Sequence, residues 1–255
     1  MRWSLLEWLS MPLVWLRTFV FQCGEAFRVL RYYRKTEFAV ADMRLSGMYR
    51  FKSAFAECRD YLKLQGAENP YRYGETPLST MHHIVRECGL ESRDTIYELG
   101  CGRGRTSLWL HLYLGADVVG VDHVPIFIQR ANKLVEVSGW ERLRFRWGDI
   151  RKMDFSEATA VYLYGTGFEE SVIRDVLTRL RHLPIGAKVI TISYPLTDWP
   201  EGDFLELEKR FSARFPWGRA DCFLHSRVWE TSSHTVDLAG GALSDRSRDE
   251  PSPGP

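Results

Sequence analysis

The 255-residue sequence predicts an α/β fold: a mainly parallel sheet, helices on both faces, and an antiparallel pair at one edge. Three observations predict it. Short apolar runs alternate with helical patterns from residue 95 to residue 195. The runs are almost continuously apolar, as in strands buried on both faces, and the connections are short. After Pro195 the pattern changes to two runs around "PWGRAD".

Taken in order, "TIYEL" (95–99) reads as a buried strand, and a glycine-rich turn follows it directly. "RTSLWLHLYL" (105–114) reads as a helix and "DVVGVD" (117–122) as a second buried strand. "PIFIQRANKLVEVSG" (125–139) has proline near its start and glycine at its end, which bound a helix. "LRFRW" (143–147) alternates as a strand, and "TAVYLY" (159–164) is another buried one. "EESVIRDVLTRLRHL" (169–183) carries apolar residues at 172, 176, 177, 180 and 183, a helical spacing. "PIG" breaks it, and "AKVITISYP" (187–195) is a strand. "FLELEKRFSARF" and "CFLHSRVWE" then read as paired strands closing the sheet edge.

The chain divides into four parts. Residues 1–35 are apolar, tryptophan-rich and basic at their end; residues 36–94 are mostly helical in pattern; residues 95–230 carry the strand–helix alternation. Residues 231–255 have almost no large apolar side chains, so they are expected to be disordered. Hydrophobic content of 45% suits a sizeable core, and a net charge of +1 gives no general affinity for polyanions, so no nucleic-acid partner is expected. The cysteines at 23, 58, 88, 101 and 222 are scattered, without a CxxC pair. They read as reduced thiols of a cytoplasmic protein, with no metal site.

The N-terminal part shows neither a signal-peptide pattern nor an uncharged run near the roughly 18–20 residues that span a bilayer. Leu13, Leu16, Val20, Cys23, Phe27 and Leu30 share one helical face. Six basic residues against two acidic ones give residues 1–35 a net +4 (6 − 2). Tryptophans with arginines suit a membrane interface, so peripheral membrane association is one expectation. Packing on the catalytic domain or on a second subunit is the other.

The chemistry sits after the first strand. "ELGCGRG" puts Glu98, Gly100, Gly102 and Gly104 at its carboxyl end, where ligands bind in such sheets. Glycines admit positive φ and close backbone approach. Asp122 ends the second strand, positioned for a ribose diol. A nicotinamide site prefers G-x-G-x-x-G, with the pyrophosphate on the helix N-terminus. Here the third glycine comes one residue early, and Glu98 precedes the first by two. A cofactor bearing an ammonium group tolerates that carboxylate better than a pyrophosphate does.

The pattern E-x-G-x-G-x-G is similar to motif I of the class I S-adenosylmethionine-dependent methyltransferases. "WGDI" (147–150) and Gly186 before the fifth strand fit the same family. The resemblance implies a Rossmann-like seven-stranded sheet with an antiparallel closing hairpin and, here, a helical N-terminal extension. It implies S-adenosyl-L-methionine as cofactor, with Asp149 and Ile150 at the adenine. Within the family, residues 70–230 resemble most the non-SET lysine methyltransferases of the disruptor-of-telomeric-silencing type. The residues behind this are "YGET" (Tyr73, Gly74, Glu75, Thr76), "ISYPL" (192–196) and "PWGRADCFLHSRVW" (216–229). In that branch the first of these is a loop closing over the methionine end of the cofactor. One departure is "YLYGTGF" (162–168), where the branch carries a different acceptor segment.

The resemblance implies an enzyme that transfers a methyl group in line to a protein side chain, with lysine foremost. Tyr164 and Tyr194, ending two strands, are the candidate catalytic residues lining an acceptor channel, with Phe168, Trp199 and Trp217 nearby. Arg105 is a candidate for orienting the cofactor carboxylate. Three alternatives stand: an N- or O-methyltransferase of a small or lipid-like acceptor, a non-catalytic cofactor-binding scaffold, and a nicotinamide oxidoreductase.

Overall fold

The computed structural model describes residues 5–228, with side chains from residue 16. The expected disordered tail, 231–255, lies outside the described residues. Seven strands form one sheet in the order β3-β2-β1-β4-β5-β7-β6. They are β1 (Thr95–Leu99), β2 (Asp117–Asp122), β3 (Leu143–Trp147), β4 (Ala160–Leu163), β5 (Lys188–Ile192), β6 (Leu205–Phe215) and β7 (Gly218–Arg227). The first five are parallel; β7 runs antiparallel to both β5 and β6. Every strand expected from the apolar runs is present. The hairpin turn is shorter than "PWGRAD", because only Pro216 and Trp217 lie between β6 and β7.

The helices are α1 (Leu5–Val29), α2 (Thr36–Gly47), α3 (Ala54–Leu64), α4 (Leu78–Glu87), α5 (Arg105–Trp109), α6 (Pro125–Ser138) and α7 (Glu170–Leu180). The helix expected over 105–114 changes winding midway: α5 continues as a wider π turn from Leu110 to Leu114. Gly115 ends it at φ +91.

Side chains alternate across the sheet. Ile96 joins one apolar cluster, Tyr97 and Leu99 the other. The first cluster also holds Phe38, Leu45, Leu78 and Met81 with Val118 and Phe127. The N-terminal helices therefore share one core with the sheet, and the sequence boundary at residue 94 is not a boundary in packing. The second cluster lies under α7, through Ile173, Val176, Leu177 and Leu180.

Candidate active site

β1 and β2 lie side by side, so the turns after them meet. Gly100, Gly102 and Gly104 have φ of +79, +56 and +85, values that L side chains rarely adopt. A side chain at Gly100 would project into open space, whereas one at Gly104 would strike the Phe145 ring at 2.5 Å. The first glycine thus borders free volume and the third is a packing point.

Asp122 closes the floor. One carboxylate oxygen accepts the Gly102 N–H at 2.8 Å and the other the Val124 N–H at 2.8 Å. Each oxygen keeps a lone pair for a ligand. Burial pushes its pKa up, opposed by those backbone donors. Glu98 is buried at the end of β1 and accepts the Ser107 hydroxyl. Burial pushes its pKa up to about 8, against the pull of that hydroxyl, and the Asp122 and Glu75 charges add to the rise. Two acids in one water-poor turn form a place suited to a cation.

Residues 73–76 lie over this turn. The Tyr73 ring comes within 3.1 Å of where a Gly102 side chain would sit. Its hydroxyl donates to Glu75 Oε1 at 2.5 Å. Arg103 holds the same carboxylate in a fork, 2.6 Å from Nε and 3.0 Å from Nη2. Thr76 is buried, its hydroxyl 2.6 Å from that of Tyr162 on β4. The "YGET" stretch is therefore tied to the glycine turn at one end and to β4 at the other.

Two expected cofactor contacts are engaged elsewhere. Arg105 forms a fork with the buried Asp42 on α2, at 2.8 and 2.7 Å, so its guanidinium ties a helix to the sheet rather than standing free for a cofactor carboxylate. The Arg103 guanidinium is the one laid against the lid. Asp149 caps the turn that begins at the buried Ile150, accepting the Arg151 N–H at 3.0 Å. The Arg151 guanidinium also takes its carboxylate, at 2.6 Å from Nη2. An adenine amino group would have to share or displace that pair.

The two candidate catalytic tyrosines sit on opposite faces of the sheet. Tyr164 packs on the cluster beneath the N-terminal helices, Tyr194 on the one beneath α7. Tyr164 stacks on Phe215 at 5.6 Å and 8°, and Phe215 stacks on Trp217 at 5.2 Å and 12°. The Trp217 indole N–H donates to the Tyr164 hydroxyl at 3.1 Å. Tyr194 meets Trp199 edge-on at 5.2 Å and donates to the Gly165 carbonyl at 3.2 Å. The residue before it, Ser193, is the one non-glycine among the described residues with positive φ, +77. The expected single aromatic channel is therefore a three-ring ladder on one side of the β4 exit and a separate pair on the other.

Sequence reasoning missed Tyr49. Its ring packs on Phe127, which also packs on Tyr73. The Tyr49 hydroxyl and Arg130 Nη1, both buried, find no hydrogen-bond partner among the described residues. Nothing local in "SGMYRF" signals this, because the neighbours that matter are about 25 to 80 positions away.

Residues 96–183 match the family model described as "Methyltransferase domain". This chain carries a class I S-adenosylmethionine-dependent methyltransferase domain. The domain is similar to the sterol 24-C-methyltransferase of Pneumocystis carinii, at 31% identity over 84 residues, 32% of this chain and 22% of that protein. The chain thus matches under a quarter of that relative's length. In fold it is similar to an RNA methyltransferase from Salinibacter ruber, solved with S-adenosyl-L-homocysteine: TM-score 0.51, 23% identity, 63% of this chain and 97% of that one. TrmN from Thermus thermophilus is similar as well, with TM-score 0.53, 17% identity, 61% of this chain and 50% of that one. At these identities the structures speak for the fold alone.

The methyltransferase domain has residues that fit its family's cofactor. Gly100 borders open space beside two buried acids. The Tyr49 hydroxyl and Arg130 Nη1 lack a hydrogen-bond partner among the described residues, while Nη2 of the same guanidinium donates to Glu57 at 2.9 Å.

Proposed function

We propose that the protein transfers a methyl group from S-adenosylmethionine to a small or lipid-like acceptor. The observation that carries the reading is the turn itself: three positive-φ glycines between the buried acids Glu98 and Asp122, inside a matched methyltransferase domain. When bound, the cofactor supplies a sulfonium methyl that is already an activated electrophile. The chain's work is then to position and to desolvate. Glu98 holds positive charge, Asp122 fixes the cofactor's rotation, and Tyr73 with Glu75 and Arg103 keeps water off. The ladder of Tyr164, Phe215 and Trp217 offers flat apolar area beside the β4 exit.

The resemblance of this domain to sterol methyltransferases supports an apolar acceptor over the lysine first expected from "YGET". A protein lysine is the second reading, favoured by the same ladder, since stacked rings also hold an ammonium through cation–π contact.

The test is incubation of the full chain with methyl-labelled S-adenosylmethionine and a lysate of its own host, soluble and membrane fractions kept apart. Label in the solvent-extractable fraction is the expected result. Label that is acid-insoluble and protease-sensitive would replace the proposal with the lysine reading. No label, with S-adenosylhomocysteine still bound in a parallel titration, would overturn it in favour of a scaffold.

A further inference from the structure

α1 is mounted inside out. Its one acid in the described side chains, Glu25, points inward: the carboxylate accepts the Ser79 N–H at 2.9 Å and the Ser79 hydroxyl, in the first turn of α4. Those N–H groups have no partner within their own helix, so the bond is strong and fixes the rotation of α1. Opposite Glu25, in a sector about 100° wide at ~100° per residue, lie Leu16, Phe19, Val20 and Phe27, with Leu30 just past the helix end. They are 59, 63, 61, 81 and 56% exposed. A solvent-facing helix normally shows the reverse arrangement. An apolar stripe of this kind marks a docking surface.

The borders of the stripe say what docks. Arg17 and Arg28 lie along one border, with Arg31 just beyond the helix end. Arg28, Arg31, His83, Arg214 and Arg219 line a cleft of about 360 Å³ on that border. Glu25 lies 3.8 Å from Arg28 and is already engaged with Ser79, and Glu87 lies 3.8 Å from His83 and is engaged with Lys209. A second copy would bring the same arginines and, among the described side chains, no carboxylate on its own stripe, so it lacks complementary charge. An anionic lipid surface supplies both an apolar layer and negative headgroups. No helix among the described residues is long and apolar enough to cross a membrane. The fitting occupant is therefore a membrane surface.

We infer that α1 lies in the interface of an anionic bilayer, with its stripe in the acyl boundary and its arginine border on the headgroups. The placement has a consequence for the site. The Arg17 guanidinium lies against Gly218, 3.2 Å from where a side chain there would begin. Trp217, the next residue, is 52% exposed and is the outer rung of the Tyr164–Phe215–Trp217 ladder. A docked α1 sets that ladder at the membrane surface, where a lipid-like acceptor resides. The inference goes beyond the proposed reaction, and its test does not use methyl transfer.

The test is co-sedimentation of the full chain with phosphatidylcholine vesicles, with and without phosphatidylglycerol. Binding is expected only with phosphatidylglycerol and should weaken with salt. Replacing Arg17 and Arg28 by Gln should cost roughly fivefold each, from about 1 kcal/mol per basic residue near a charged surface. F19D with F27D should abolish binding while leaving S-adenosylhomocysteine affinity unchanged, which shows that the fold persists. Failure of the folded wild type to bind anionic vesicles would overturn the inference. So would equal binding to neutral ones. A dimer in sedimentation velocity that F19D with F27D breaks, without vesicle binding, would assign the stripe to a second copy instead.

Discussion

Glu98 is buried within a turn that also holds Asp122, and its pKa stands at about 8 against an ordinary 4.5. For an acid raised on folding, the unfolded chain ionises first as pH rises. Stability is therefore unaffected by this group below about pH 4.5, falls as pH climbs towards 8, and levels off above it. Glu98→Gln should flatten that slope, readable in urea titrations across the range. A cation bound nearby reverses the preference and draws the proton off. Binding of S-adenosylhomocysteine near neutral pH is expected to release a proton, measurable by calorimetry in buffers of different ionisation enthalpy. Glu98→Gln should release none; an equal release would place the ammonium elsewhere. Asp122→Ala should weaken cofactor binding by about 1–3 kcal/mol, and here it also strands the Gly102 and Val124 N–H groups, so stability should fall by a similar amount. Unchanged affinity in a direct titration would remove Asp122 from the ribose contact.

At the scale of elements, the glycine turn and the lid make opposite demands on one motif. Gly104→Ala meets a positive φ and the Phe145 ring at once, so it should cost about 2–4 kcal/mol of stability. Gly100→Ala meets only the φ, about 1 kcal/mol, but its methyl enters the free space, so cofactor binding should suffer more than melting temperature. Similar melting losses in the two variants would contradict this division. Glu75→Ala should act like Gly100→Ala, because the carboxylate joins Tyr73 and Arg103 at the lid and carries little core. The sequence showed the turn and the strands clearly, since buried parallel strands are near-continuous apolar runs and positive φ favours glycine. It showed less of the partners. Thr76 meets Tyr162 across 86 positions, and no local pattern encodes such a pair. Periodicity also exposed the α1 stripe through Leu16, Val20, Phe27 and Leu30 but not its direction. That direction depends on Glu25 finding Ser79, 54 residues away.

Across the whole molecule, one ion pair decides whether the N-terminal helices and the sheet behave as a unit. Asp42 on α2 is 1% exposed, and burial would raise its pKa, yet the Arg105 fork and the Tyr33 hydroxyl hold it below the usual carboxylate range. Both ends sit against the same apolar cluster, which runs from Phe38 through Leu78 to Val118. Asp42→Ala leaves the Arg105 charge buried without its partner, a loss of about 3–5 kcal/mol. Replacing both, Asp42→Leu with Arg105→Met, removes the desolvation cost along with the attraction and should restore most of that loss. If Arg105 serves only as a tie, the double variant also keeps its affinity for S-adenosylhomocysteine; a large loss of affinity would return Arg105 to the cofactor carboxylate. Calorimetry of the same pair tests the shared core. One cooperative transition that shifts down in Asp42→Ala and recovers in the double variant means that residues 36–94 melt with the sheet. Two separated transitions would mean that the helices form a domain of their own, and that the lid between Tyr73 and Thr76 is then a hinge between two bodies rather than a strap within one.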